Sequence, residues 1–182
     1  MDLKHHFLIA MPNIVGDYFH RSVIYICDHS EDGAIGLVIN RASNMSLLEL
    51  FARINLSAER NWVEVPVLEG GPVSTEKGFV LHGNDVLLDS SAALGDGLFL
   101  STALEALEKL ADGEGPKEFL VALGYAGWGS GQLEDEVSRN VWLTVAADPT
   151  VLFSTPLDER FDAAAHLLGI DSRFLTGEAG HA

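Results

Sequence analysis

Four glycines, a tyrosine and a tryptophan crowd into ALGYAGWGSGQLEDEV, Ala122 to Val137, and three acids follow. A strand running through glycines into a helix is the arrangement in which backbone N–H groups hold an anion. Here the dinucleotide fingerprint GxGxxG fails, because Gln132 stands where its third glycine would fall. GxxxxGK[ST] is absent as well, and the next cation is Arg139. Glu134, Asp135 and Glu136 would sit in the first turns of the helix, complementing its dipole and repelling a phosphate. A tight corner with a capped helix start is the favoured reading.

Nucleophilic chemistry has no better footing in the sequence. Ser130 lies in WGSGQ, which lacks the outer glycines of GxSxG, and reads as a helix N-cap. The single Cys27 alternates within an apolar strand and is expected to be a buried, unactivated thiol. Of seven histidines, the adjacent His5 and His6 would point to opposite strand faces. His29, near Asp28 and Glu31, and His82, near Asp85, could meet other ligands only through folding. Without HExxH or a comparable spacing, structural or surface histidines are expected, with no metal and no cofactor. Arg41, one of few cations, is expected in a structural ion pair, with a binding contact as the alternative.

Composition narrows the partners. The 182 residues carry 27 acidic against 11 basic side chains, a formal charge of -16. Such a surface repels phosphates and anionic headgroups, and the cations are scattered, so direct DNA binding is disfavoured. One cysteine excludes an intrachain disulfide and a cysteine-rich zinc site. No apolar run approaches the roughly 18–20 residues that span a bilayer. The start MDLKHHFLIAMP has too short an apolar core for a signal peptide, so a cytoplasmic protein is the default expectation.

The elements that would position these groups can be read coarsely. HFLIAM and RSVIYICDHS read as strands, the second buried on both faces, and Glu31-Asp32-Gly33 turns it into a hairpin with AIGLVIN. VPVLEGG, KGFVLH, GLFLS, EFLVALGYAG, VWLTVA and TVLFS read as further strands. Capping boxes at Ser46/Glu49 and Thr102/Glu105 predict helices, the second with Ala103, Leu107, Leu110 and Ala111 inward. Thr155/Asp158 with Pro156 predicts a third helix, through Phe161, Ala164, Ala165 and Leu168 to Gly169. A fourth, shorter one is expected over 131–139. About nine strands and four helices that do not alternate favour α+β with mixed, largely antiparallel strands. One domain over 1–170 and a frayed tail over 171–182 are expected.

Several stretches together resemble the YqgE/AlgH family of small bacterial proteins. They are LIAMP, SVIYICDHSEDGAIGLVINR, EGGPV, GFVLH, ALGYAGWGSGQLEDEV and NVWL, in order across roughly residues 7 to 169. Ala42 departs from the family's usual Pro, and Lys77 from a common Arg. The resemblance implies a flattened, barrel-like sheet flanked by helices. For function it implies little: the family's role is poorly defined, with one branch named for alginate regulation and described as a transcriptional regulator, and no established DNA-binding motif or enzymatic activity. Two readings follow: a non-enzymatic regulatory or binding protein with a protein or small-molecule partner, affecting transcription indirectly, or a ligand receptor or enzyme using the corner. For the second, the candidate contacts are Asn40, Arg41, Gly70, Gly71, Tyr125, Gly127, Trp128, Gly129, Gln132 and Glu134.

Overall fold

The computed structural model describes residues 1–12, 17–58 and 62–175. In chain order its first elements are β1 (His6–Ala10), β2 (Val23–Ser30), β3 (Gly33–Val38), β4 (Ala42–Ser46), α1 (Leu47–Arg53), β5 (Pro66–Glu69) and β6 (Val73–His82). There follow β7 (Ala92–Gly95), β8 (Leu98–Thr102), α2 (Ala103–Ala111), β9 (Phe119–Gly129), α3 (Gln132–Ser138), β10 (Trp142–Ala146), α4 (Pro149–Phe153) and α5 (Arg160–Leu167). The class is α+β with mostly antiparallel strands, as expected. No described helix is long and apolar enough to cross a membrane.

The chain forms two compact units, Met1–Asn40 with Gly127–Ala182, and Arg41–Ala126. In the first, β1 lies between β10 and β2, antiparallel to both, and β2 continues antiparallel into β3. Phe7, Leu8, Ile9 and the run Val23 to Ile26 are all fully buried, so these central strands are covered on both faces. That explains why they read as continuous apolar runs instead of alternating ones. Leu152, Phe161, Ala164 and Ala165 supply the buried faces of α4 and α5. Cys27 falls inside this core, and burial pushes its thiol up to about 12, as expected of an unactivated cysteine.

In the second unit β5 runs parallel to β9, while β4 with β5, β9 with β6, β6 with β8 and β8 with β7 are antiparallel. Leu47, Leu50 and Phe51 of α1 and Ala106, Leu107, Leu110 and Ala111 of α2 close over Trp62, Val67, Val80 and Val121. Burying each large side chain contributes roughly 1.5–3 kcal/mol. The Trp62 ring stands edge-on to Phe51 at 6.0 Å and to Phe119 at 5.9 Å.

The helix starts show where local signals held. At α1 the capping box is complete: Ser46 Oγ accepts from Glu49 N–H, and the Glu49 carboxylate accepts from Ser46 N–H. At α2 the Thr102 side chain caps nothing. Glu105 turns away because two loop N–H groups, of Asp89 and Ser90, reach its carboxylate at 3.0 Å each. The side chain of Ala103 lies outside the described residues.

Two expectations near the C-terminus need correction. TVLFS is not a strand but α4, started by Asp148, whose carboxylate accepts from Thr150 N–H at 2.8 Å, with Pro149 at the first helical position. Thr155 does not cap the next helix, because its hydroxyl donates back to the Thr150 carbonyl. A 3-10 turn over Leu157–Glu159 intervenes before α5. Of the expected tail, Ser172–Leu175 forms a 3-10 turn with Leu175 buried, and 176–182 lie outside the described residues.

Candidate functional site

The glycine-rich stretch is the end of β9 and the start of α3. Along the strand Gly127 and Gly129 face solvent, while Trp128, between them, is 8% exposed. The two-residue period of a strand therefore puts bare backbone outward and the indole inward. Gly33 closes against the same strand: a Cβ there would lie 2.2 Å from the Trp128 carbonyl oxygen. The chain then turns at Gly131, whose φ of 73° is the left-handed conformation that glycine enters without steric cost. Gly131, not Ser130, is thus the N-cap of α3. Ser130 instead donates its hydroxyl proton to the Glu31 carbonyl at 2.6 Å.

Behind the corner a carboxylate gathers the polar groups. Glu136 Oε2 accepts from the Trp128 indole N–H at 2.7 Å and from the Trp142 indole N–H at 2.9 Å. The two rings meet edge to face at 6.2 Å, and Phe19 stands edge-on to Trp142 at 5.7 Å. Gln132 links the ends: its Nε2 donates to Glu136 Oε1 at 3.2 Å, and its Oε1 accepts from Gly129 N–H at 3.0 Å. A backbone donor that an anion would have used is already taken.

Glu134 meets a histidine. Leu3 N–H donates to His29 Nδ1 at 3.0 Å, so that nitrogen carries a lone pair and Nε2 carries the proton. His29 therefore donates from Nε2 to Glu134 Oε1 at 2.8 Å as a neutral ring, a hydrogen bond and not an ion pair. The Glu134 backbone N–H first, and His29 next, hold this carboxyl below the usual carboxylate range. Asn40, in the same unit, is a staple between chain segments. Its Oδ1 accepts from Val23 N–H at 2.9 Å, and its Nδ2 donates to the Arg21 carbonyl at 2.8 Å.

Four of the ten candidates belong to the other unit. The Arg41 carbonyl accepts from Glu69 N–H at 2.9 Å, and Gly70 N–H donates to the Leu123 carbonyl at 2.8 Å. A Cβ at Gly71 would lie 2.0 Å from the Tyr125 carbonyl carbon, so Gly70-Gly71 allows two backbones to touch. The half-buried Tyr125 ring stands edge-on to Phe79 at 6.0 Å.

Sequence reasoning missed Glu136 as the organiser of the corner. Its spacing from Gln132, four residues on one helix face, was the available signal. It also missed a buried arginine. Arg160, 7% exposed, donates from Nη1 to the Ile39 carbonyl at 2.6 Å and from Nε to the Thr155 carbonyl at 3.1 Å. Among the described residues no three His, Cys, Asp or Glu side chains gather as metal ligands.

The chain is α+β with a Trp-Glu-Trp brace behind a glycine corner, and similarity gives it a family. The AlgH-like family profile matches residues 7–173, and the chain belongs to the YqgE/AlgH family. It is 53% identical to the UPF0301 protein of Burkholderia cenocepacia J2315 over 185 residues, covering 100% of this chain and 96% of that one. A Burkholderia multivorans UPF0301 protein is 54% identical over the same span. The solution structure of the AlgH protein from Pseudomonas aeruginosa matches with a TM-score of 0.81 and 46% identity, covering 100% of this chain and 97% of that one. A Corynebacterium diphtheriae protein shares the fold, with a TM-score of 0.73 at 19% identity over 91% of this chain and 87% of that one.

Proposed function

We propose that the chain is a non-enzymatic binding protein with a regulatory role, acting on transcription only through a protein or small-molecule partner. One observation carries this reading: the polar side chains of the glycine corner are taken up by partners within their own unit. Trp128, Gln132, Glu134 and Glu136 are each engaged within the chain, which leaves no catalytic set assembled there. The charge of -16 supports an indirect route to any promoter. Several of the few cations also stand within 4 Å of a carboxylate, as Lys4 does with Asp28, Arg21 with Asp162 and Arg139 with Asp135.

Co-purification under mild conditions from the native host, read by mass spectrometry for proteins and small molecules, tests the proposal. A stoichiometric partner retained through purification is the expected result. Tight binding of duplex DNA at physiological salt, with a steep salt dependence, would overturn the indirect route. A small molecule shielding the exposed Gly127 and Gly129 backbone would favour the receptor reading instead.

A further inference from the structure

Outside the corner, three neighbouring strands of the second unit place a histidine and two serines on one hydrogen-bonded line. In the β6–β8 register Val80 opposes Ser101, so His82, two residues on, lies diagonally across from Ser101 on the same face. In the β7–β8 register Ala92 opposes Leu100, which brings the preceding Ser91 opposite Ser101.

The two ends of this line have a fixed direction. His82 Nδ1 lies 2.7 Å from the Gly83 carbonyl, which can only accept, so Nδ1 carries the proton and Nε2 a lone pair. Ser101 lies 2.7 Å from Nε2 and donates to it. Ser91 Oγ accepts from Leu88 N–H at 2.9 Å and lies 2.8 Å from Ser101 Oγ, where either hydroxyl can donate, and 3.5 Å from His82 Nε2 itself. His82 is fully buried and Ser101 is 1% exposed, with the imidazole stacked on Phe99 at 6.0 Å. Gly83 and Ser101 already satisfy both ring nitrogens. Ser91 is a surplus link, and of the three residues it is the one that is half-buried and not buried.

We propose that Ser91 is a base-activated nucleophile that takes an acyl group from an activated ester or thioester, with Ser101 positioning the proton path and His82 as the base. Ser91 Oγ forms the new bond to the acyl carbon while its proton passes to Ser101 and the Ser101 proton passes to His82 Nε2. The bond from the acyl carbon to the leaving group breaks, and that group departs with the electron pair. The imidazolium then returns its proton to the leaving group through Ser101 and solvent. The products are an O-acyl Ser91 and the protonated leaving group. The turn is held in place by Glu105, which binds Asp89 N–H and Ser90 N–H. Those N–H groups are thereby withheld from a tetrahedral oxyanion. Acylation itself passes through such an oxyanion, so the transfer needs a reactive donor, and its product is a covalent mark on a binding protein. Leu87 and Leu104, 61% and 59% exposed, flank the two segments that Glu105 joins and offer apolar surface to an acyl chain.

The test incubates the full chain with p-nitrophenyl butyrate and reads butyryl transfer by intact mass and peptide mapping. A single butyryl group on Ser91, absent in Ser91→Ala, is the expected result. Ser101→Ala should slow transfer by at least about tenfold, within the range of general-base effects. Ser101→Thr, which keeps the hydroxyl, should retain the parent rate. No adduct, or an adduct that persists in Ser91→Ala, overturns the proposal. Ser91 is only half-buried, so its variant decides the site even where a variant of the buried Ser101 fails to fold.

Discussion

The indole N–H of Trp128 points into the chain and ends on the Glu136 carboxylate at 2.7 Å. The ring is thus anchored from inside, and the glycine corner is a braced turn.

Removing the brace should cost stability first. In Glu136→Ala the indole N–H groups of Trp128 and Trp142, rings 8% and 3% exposed, lose their acceptor. Each buried donor left unsatisfied costs about 1–3 kcal/mol, so a loss of about 2–6 kcal/mol is expected in urea unfolding. A variant within about 0.5 kcal/mol of the parent would show that the brace is idle.

The glycines of the two motifs should respond unequally to alanine. At Gly71 the new Cβ meets the Tyr125 backbone at 2.0 Å, a clash no rotamer relieves. At Gly131 it meets nothing within 4 Å, and only the left-handed φ of 73° is penalised. Gly131→Ala should cost about 1–2 kcal/mol. Gly71→Ala should exceed about 4 kcal/mol or fail to fold, and equal melting temperatures would contradict the close approach.

Acid should act through Glu134. Its folded carboxyl titrates below the ordinary 4.5, so its contribution is complete above that value and is lost as pH falls through the lower, folded one. Glu134→Gln should flatten the stability profile below pH 4.5 and leave its neutral limb parallel to the parent's. An unchanged acid limb would mean that neither the backbone N–H nor the His29 contact at this carboxylate carries linkage.

Alkali should act through Cys27. Its thiol rises from 9.0 to about 12 in the fold, so the unfolded chain ionises first and stability falls as pH climbs between those values. Cys27→Ala should remove that slope, read from urea midpoints between pH 8 and 10.5, roughly spanning the unfolded thiol's titration. A thiol reagent that labels the native protein at neutral pH as fast as a free thiol would contradict the burial.

The apolar grammar of the chain carried much of the fold. The β2–β3 hairpin, the α1 capping box and the inward face of α5 were all visible as local patterns. Errors came where a local signal had competition. Glu105 fits a capping box, yet two loop N–H groups fifteen and sixteen residues away in sequence claim it. TVLFS has strand composition, but Asp148 and Pro149 ahead of it start a helix. The candidate site was legible as a corner and not as a function. Which side of a strand a tryptophan faces depends on register, and Glu136 meets Trp142 only after α3 turns the chain back towards β10. The line from Ser91 to His82 was illegible for the same reason, since it needs the registers of three strands at once.

The strand pairing also sets an order of events at the ribosome. The segment Arg41–Ala126 is continuous and has all its own strands once it has emerged, so its core can close early. β1 is made first, yet its partner β10 is made after nine other strands, with His6 paired to Ala146. Until then one edge of β1 stays open, as a long-range pairing that slows folding and leaves a nascent chain exposed to mispairing. The fully apolar run that makes this strand a good centre for the finished sheet also makes it the segment most in need of shielding during synthesis.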